Sequence, residues 1–171
     1  MNLDRAIEIA LEYEESVHRT YLEAMKKTSD PSAQRIFKIL CDEEKQHIAY
    51  LQERLEEWRK AGKIELKKLS TSLPDKEAIA RSLADMKQTI STGPSPKADE
   101  QKLLRRILDA EIKASDFYRE MVRSLDAEGR EMFRRFVEIE QGHEAIVQAE
   151  IDSLSRLGFW FDIAEFRLEA Q

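Results

Sequence analysis

The sequence predicts an all-α protein built as a bundle of four long helices. Only five glycines and four prolines interrupt the 171 residues. The segments between them are rich in Ala, Leu, Glu, Lys, Arg and Gln, which favour helices. No run of four to eight residues shows the β-branched alternation that is typical of a strand. Instead, four segments of about 25–30 residues carry apolar residues at helical spacing, and helices of that length pack as bundles.

The first two helices are predicted over residues 3–28 and 31–61. Asp30 suits the N-cap of the second helix and Pro31 its first position, while Gly62 provides a stop. Because only a few residues separate the two helices, they should form an antiparallel hairpin. Their apolar stripes consist of Leu3, Ile7, Ala10, Val17, Tyr21 and Ala24 in the first helix and Ala33, Phe37, Leu40, Leu51, Leu55 and Trp58 in the second.

Two further helices are predicted over residues 96–125 and 127–157. The third begins near Ser95-Pro96, and the fourth follows Asp126 and ends at Gly158. Their connection is again short, so they should form a second antiparallel hairpin. Their apolar stripes consist of Leu104, Ile107, Ala114, Tyr118 and Leu125 in the third helix and Phe133, Phe136, Val147, Ile151 and Leu154 in the fourth.

A connector over residues 62–95 joins the two hairpins. An extended chain covers about 3.3 Å per residue, so this segment can run along the whole bundle as a crossover. It contains a weaker helical pattern at Ile79, Leu83, Met86 and Ile90. The aromatic tail, residues 158–171, should either cap the bundle or contact another subunit. We assign all 171 residues to one domain, as this length suggests.

Composition excludes several classes of function. The formal net charge is −6, which argues against nucleic acid as the main partner. A single cysteine, Cys41, cannot form an intramolecular disulfide or a four-cysteine metal site. No segment approaches the roughly 20 apolar residues that a membrane-spanning helix needs. The N-terminus lacks the pattern of a signal peptide. We therefore expect a cytoplasmic protein that does not bind membranes.

Polar residues interrupt each apolar stripe at one level of the bundle. In two of the four helices these polar residues form the motif Glu-x-x-His. Its three-residue spacing places the Glu and His side chains on one helix face. Buried carboxylates without partners are strongly unfavourable, and four together also repel one another. Two divalent cations would cancel their charge, and this oxygen-rich shell with imidazoles favours iron, then manganese, with zinc as a further occupant. The six predicted ligands are Glu14, Glu44, His47, Glu111, Glu140 and His143.

An internal repeat supports this interpretation. The region of Glu14 and Tyr21 aligns with that of Glu111 and Tyr118, and Phe37 through His47 aligns with Phe133 through His143. A single Glu-x-x-His motif is weak evidence, because it also occurs on the surface of acidic helices. His18 fits the motif too, with Glu15 three residues before it. It lies beside the seam, so we assign it to the surface, with support of the ligands as the alternative.

On these motifs, residues 3–157 resemble the rubrerythrin branch of the ferritin-like diiron proteins. The resemblance implies two iron ions per chain and reduction of hydrogen peroxide or dioxygen. It implies that Glu44 and Glu140 bridge the irons. Tyr21 and Tyr118 are either core packing or redox-active hydrogen-bond partners. The implied terminal ligands are Glu14 and His47 on one iron and Glu111 and His143 on the other.

The sequence also departs from the family. Ala114 replaces an additional glutamate of rubrerythrins, and Lys45 replaces the haem-binding methionine of bacterioferritins, so haem is not expected. One cysteine cannot build a rubredoxin-like module, so the electron donor should be a separate protein, such as one of the rubredoxin type. We expect a homodimer. The alternative functions are a ferritin-type ferroxidase with iron storage and a diiron hydroxylase.

Overall fold

The computed structural model describes residues 1–86, 98–162 and 166, and within them every regular element is a helix. The predicted all-α class is confirmed. None of the helices in this part of the chain combines the length and the apolar character needed to cross a membrane. The helices are α1 (Leu3–Lys27), α2 (Pro31–Ala61), α3 (Lys76–Met86), α4 (Ala98–Ser124) and α5 (Ala127–Arg156).

The four long helices match the predicted segments to within one or two residues. The predicted start of the third helix at Ser95-Pro96 lies outside the described residues, as does Ile90. α1 packs against α2 and α4, and α5 packs against α4. The chain therefore folds as two helical hairpins that pack side by side.

The predicted caps explain where the hairpins turn. The carboxylate of Asp30 accepts the backbone N–H groups of Ser32 and Ala33, at 2.9 and 3.2 Å. Asp126 accepts the N–H of Gly129 in the same way, at 3.1 Å. These side chains satisfy donors that a helix N-terminus leaves free. Gly62 ends α2 with φ of +65°, a conformation that favours glycine.

The apolar stripes of the four long helices meet in one core. All the stripe residues predicted for these helices are buried except Trp58, which is half-buried near the end of α2. Burying a large apolar side chain contributes about 1.5–3 kcal/mol. The bundle is therefore held together mainly by these stripes, and the polar residues on the same seam must be stabilised in another way.

The connector lies on the face formed by α2 and α5. The hydroxyl of Tyr50 donates to the carbonyl of Lys67 at 3.0 Å, and Nε of Arg135 donates to the carbonyl of Leu69 at 2.9 Å. The fully buried guanidinium of Arg54 donates to the carbonyl of Glu65. These bonds replace water for a backbone segment that has no regular structure. Residues 76–86 of the connector form α3, which packs against α5.

Gly142 allows the connector to approach α5. A Cβ atom at this position would lie 3.1 Å from the carbonyl oxygen of Pro74. That is closer than an ordinary contact, and the neighbour is backbone rather than a flexible side chain. Glycine costs about 1 kcal/mol in a helix interior, so its presence between Glu140 and His143 is explained by this close approach.

The aromatic tail caps one end of the bundle, which was the first of the two predicted alternatives. The Trp160 ring packs edge-on against Phe37 of α2, with centroids 5.4 Å apart, and is only 6% exposed. The backbone N–H of Phe161 donates to Glu150 of α5 at 3.0 Å. Asp162 forms an ion pair with Arg35 of α2. The tail therefore buries Trp160 and Phe161 within its own chain, while Phe159 remains exposed. Residues 163–165 and 167–171 lie outside the described part.

The cap leads to a prediction about stability. Trp160→Ala should lower the free energy of unfolding by about 3–5 kcal/mol, the usual cost of truncating a buried aromatic residue. Phe159→Ala is the matched control, because Phe159 is 37% exposed. Urea denaturation of the three proteins measures the difference. Equal losses in the two variants would mean that the tail does not depend on Trp160.

Candidate metal centre

The four long helices bring the six predicted ligands together at one level of the bundle. Each of α1 and α4 contributes one glutamate, and each of α2 and α5 contributes a glutamate and a histidine three residues later. The three-residue spacing puts both members of a pair on the same helix face. All six side chains are between 0 and 1% exposed; they are Glu14, Glu44, His47, Glu111, Glu140 and His143.

His47 lies at the centre of the first group of potential ligands. Its Nδ1 atom lies 3.0 Å from Oε2 of Glu14, 3.4 Å from Oε2 of Glu44 and 3.3 Å from Oε1 of Glu140. One potential ligand atom from each of these four residues lies within 4.8 Å of the others. The group combines three carboxylates and one imidazole, and its members come from three different helices.

His143 is at the centre of the second group. Its Nδ1 atom lies 3.0 Å from Oε1 of Glu44, 3.5 Å from Oε2 of Glu140 and 3.9 Å from Oε1 of Glu111. Glu44 and Glu140 therefore belong to both groups. The two imidazole rings are nearly parallel, with centroids 5.5 Å apart. This arrangement has the pseudo-two-fold symmetry that the internal repeat predicts.

Two buried tyrosines connect the halves crosswise. The hydroxyl of Tyr21 on α1 donates to Oε1 of Glu111 on α4, and the hydroxyl of Tyr118 on α4 donates to Oε1 of Glu14 on α1. Each tyrosine follows the glutamate of its own helix by two turns, so its ring reaches the glutamate of the facing helix. Both tyrosines are thus core residues and hydrogen-bond partners of the cluster.

The donor atoms of the cluster fit metal ions. Several of them are buried and make no hydrogen bond within the described part of the chain: both carboxylate oxygens of Glu44, Oε1 of Glu140, Oε2 of Glu111 and Nδ1 of His143. Such atoms are costly unless a cation or a donor satisfies them. Carboxylate oxygens with neutral imidazoles suit iron, manganese or zinc. Two divalent cations would balance the four carboxylates.

The carboxylates of the cluster differ in the direction of their pKa shifts. Burial and the charges of Glu44 and Glu140 raise the pKa of Glu14 well above its ordinary value. Burial and the same two charges also raise the pKa of Glu111. For Glu44, burial is outweighed by the close approach of the Glu14 carboxyl group and by the neighbouring histidines, so its pKa is held well below the ordinary value. The shared carboxylates are thus the most readily ionised.

The histidines and tyrosines respond to the same charges. The carboxylates around His47 and His143 overcome the effect of burial and raise the pKa of both imidazoles well above the ordinary value. Burial, together with the facing carboxylate, raises the pKa of Tyr21 and Tyr118. Without a cation, the cluster therefore holds protons on its imidazoles and phenols, and a bound metal ion must displace one proton from each imidazole, the one on the nitrogen that binds the metal.

Other predicted positions lie outside the two groups. His18 is partly exposed and belongs to neither of them. Lys45 is exposed, with its ammonium 3.6 Å from the carboxylate of Asp42. Ala114 is buried. Cys41 is a buried free thiol whose pKa is raised by burial.

Sequence reasoning missed one buried carboxylate at the centre. Glu43 is 1% exposed, and one of its oxygens lies within 4.8 Å of ring nitrogens of His47 and His143. It lies beside the apolar stripe of α2 rather than on it, so the spacing of the apolar residues does not predict that it is buried. The only hint is its position four residues before His47, one helical turn away.

An all-α bundle with this buried carboxylate and histidine cluster has the features of a metal-binding helical bundle protein. Residues 1–55 match the family model described as Rubrerythrin. The resemblance to rubrerythrins predicted from the sequence is confirmed over this segment, which contains Glu14, Tyr21, Glu44 and His47. No curated protein and no solved structure matches the chain.

The cluster predicts a metal stoichiometry. The wild-type chain should bind two divalent ions. Glu140→Ala should abolish binding of the pair, because this carboxylate belongs to both groups. His18→Ala should still bind two and is the matched control. Equilibrium dialysis with Fe²⁺ or Mn²⁺ followed by metal analysis measures this. Loss of an ion in His18→Ala, with none lost in His47→Ala, would show that the wrong histidine was assigned.

The pKa shifts predict a pH dependence of the metal-free protein. Four groups with raised pKa values, Glu14, Glu111, His47 and His143, take up protons on folding, so stability falls as the pH rises. Glu44 and Glu140 act oppositely, but their contribution is lost only near and below pH 4.5. Between pH 5.5 and 7.5 the metal-free protein should therefore lose stability, and metal ions should raise Tm most at pH 7.5.

Thermal melts of the metal-free and manganese-loaded protein at both pH values test this. Glu14→Gln should flatten the dependence of the metal-free protein. Glu12→Gln, an exposed carboxylate on the same helix, should leave it unchanged. A metal-induced rise in Tm that is absent, or larger at pH 5.5, contradicts the buried cluster.

Proposed function

We propose that this protein is a non-haem diiron oxidoreductase that reduces hydrogen peroxide or dioxygen. The observation that carries the proposal is the buried cluster of four carboxylates and two imidazoles with internal two-fold symmetry. The match of residues 1–55 to rubrerythrin supports iron as the metal. The segment that matches contributes three of the six proposed ligands, and the internal repeat supplies the rest.

In this proposal, each hairpin contributes ligands to both ions. Glu14 and His47 would hold one iron and Glu111 and His143 the other. Glu44 and Glu140 would lie between the ions, because both belong to both groups of potential ligands. Bound iron would supply electrons and Lewis acidity for cleavage of an O–O bond.

The side chains of this chain would also handle the protons that the reduction consumes. The hydroxyl groups of Tyr21 and Tyr118 donate hydrogen bonds to the carboxylates of Glu111 and Glu14, respectively. Because burial and those carboxylates raise their pKa values, both phenols stay protonated at neutral pH. The phenols also fix one oxygen of each terminal carboxylate, which leaves the other oxygen for the ion. They are therefore positioned to orient ligands and to donate protons.

Closure of the site favours a small substrate. All six proposed ligands are essentially inaccessible to solvent, and on the histidine side the connector covers the gap between α2 and α5. Dioxygen and hydrogen peroxide can reach such a site through small fluctuations of the bundle. A bulky organic substrate, as a hydroxylase would need, requires a larger opening. This burial is the reason to prefer the oxidoreductase over the hydroxylase.

We also propose a separate protein as electron donor, such as one of the rubredoxin type. The 171 residues contain one cysteine, so they cannot form the four-thiolate iron site through which such donors carry electrons. We further propose that the protein works as a homodimer in the cytoplasm. A dimer would have a mass of about 40 kDa, twice the 20.0 kDa of the chain.

A peroxide assay tests the proposed activity. The iron-loaded protein, supplied with a reduced rubredoxin, should consume hydrogen peroxide at a rate that increases with protein concentration. Glu111→Ala should reduce this rate to that of the metal-free protein, because one iron loses its terminal carboxylate. His18→Ala is the matched control and should retain the wild-type rate.

The same preparation distinguishes the ferritin-type alternative. Size-exclusion chromatography should give a species near 40 kDa, and iron uptake should stop at two ions per chain. A large cage that oxidises and retains many ions per chain, without steady consumption of peroxide or dioxygen, would contradict the proposed oxidoreductase and favour iron storage.

A further inference from the structure

We propose that Glu43 is a positioning residue for both metal-binding histidines. It would hold their rings on the side away from the cluster carboxylates and link them to the connector. This inference rests on the proposed metal centre and adds a residue to it. Glu43 would accept the outer N–H groups of His47 and His143, directly or through one shared water. It would thereby fix the orientation of both rings.

The carboxylate of Glu43 is anchored on one side only. Its Oε1 atom accepts the backbone N–H of Ser72 at 2.9 Å and the hydroxyl of Ser72 at 2.8 Å. Its Oε2 atom is buried and makes no hydrogen bond with the described residues. A buried carboxylate oxygen without a donor is costly. The carboxylate is thus held in place with one oxygen still able to accept.

The histidines offer the matching donors. Their Nδ1 atoms face the carboxylates of Glu14, Glu44 and Glu140. Their Nε2 atoms are buried and have no hydrogen-bond partner among the described residues. An imidazole that binds a metal ion through Nδ1 carries its proton on Nε2, and metal-binding histidines usually donate this proton to a carboxylate, carbonyl or water.

Glu43 also lies close to both histidines. One carboxylate oxygen of Glu43 and one ring nitrogen from each of His47 and His143 lie within 4.8 Å of one another. The two rings are stacked and nearly parallel, so a single acceptor can serve both. A separation of up to 4.8 Å leaves room for one bridging water.

The repeat shows why one residue would serve both halves. Ile139, which is apolar and buried, occupies the position in α5 that aligns with Glu43 in α2. The symmetric half therefore offers no second carboxylate there. The described part of the connector passes this side of the cluster, where Ser72 bonds to Glu43 and Pro74 approaches Gly142. The single additional carboxylate, Glu43, and this part of the connector therefore lie on the same side of the cluster.

A third metal ion at Glu43 is the chemical alternative. It would require both imidazoles to lose their remaining protons and to bind metal through both nitrogens. The hydrogen-bonded arrangement needs no such deprotonation, so we favour the positioning role. The two arrangements differ in metal stoichiometry and in the protonation of Nε2, and both can be measured.

Zinc-loaded, ¹⁵N-histidine-labelled protein tests the proposal by NMR. In the wild type, both Nε2–H protons should be visible and should exchange slowly with water. Glu43→Ala should lose this protection and weaken zinc binding about 10–100-fold. Glu43→Gln keeps an oxygen acceptor and should restore much of the protection. Glu138→Gln is the matched control, because Glu138 is exposed on α5, and should behave as the wild type.

The possible outcomes separate this inference from the proposed function. If the wild type binds two zinc ions and Glu43→Ala retains slow exchange and full affinity, the positioning role is wrong while the metal centre stands. If the wild type binds fewer than two, the metal centre itself fails. A third zinc ion that Glu43→Ala loses would make Glu43 a ligand. If Glu43→Ala does not fold, Glu43→Leu replaces it, since it removes both carboxylate oxygens with less loss of volume, and slow exchange in Glu43→Leu would then overturn the proposal.

Discussion

The structure depends on burying four carboxylates and two imidazoles inside an otherwise apolar bundle. In water these groups are hydrated, but in the core each loses its hydration and the carboxylates repel one another, which raises the free energy of the folded state. Hydrogen bonds from Tyr21 and Tyr118 satisfy one oxygen each of Glu111 and Glu14. They leave the shared carboxylates, Glu44 and Glu140, to be balanced by cations. We therefore expect metal binding to stabilise the bundle.

Much of the fold and the positions of the six polar groups could be predicted from the sequence, because both follow local rules. Apolar spacing located the long helices, and Asp30, Gly62 and Asp126 located their ends. The same spacing placed Glu14 and Glu111 on the buried seam, and the repeat suggested a symmetric site. The structure brings these groups together, while their role as ligands remains a prediction that metal analysis must test.

The remaining features could not be predicted, because they depend on how distant segments pack. The crossed bonds of Tyr21 and Tyr118 require a particular offset between α1 and α4, which periodicity does not determine. Glu43 lies off the stripe, and its partner Ser72 is 29 residues away in an irregular segment. Gly142 could be explained only once the connector was seen to approach α5. All of these concern the surroundings of the cluster, where tertiary contacts rather than local sequence set the geometry.

Anomalous diffraction from iron-loaded crystals tests the central claim most directly. Data collected on both sides of the iron absorption edge locate the ions without assumptions about their ligands. Two peaks per chain are expected, one beside Nδ1 of His47 and one beside Nδ1 of His143, with Glu44 and Glu140 in contact with both. A single peak, or peaks on the Nε2 side of the histidines, would contradict a dinuclear centre held by this cluster.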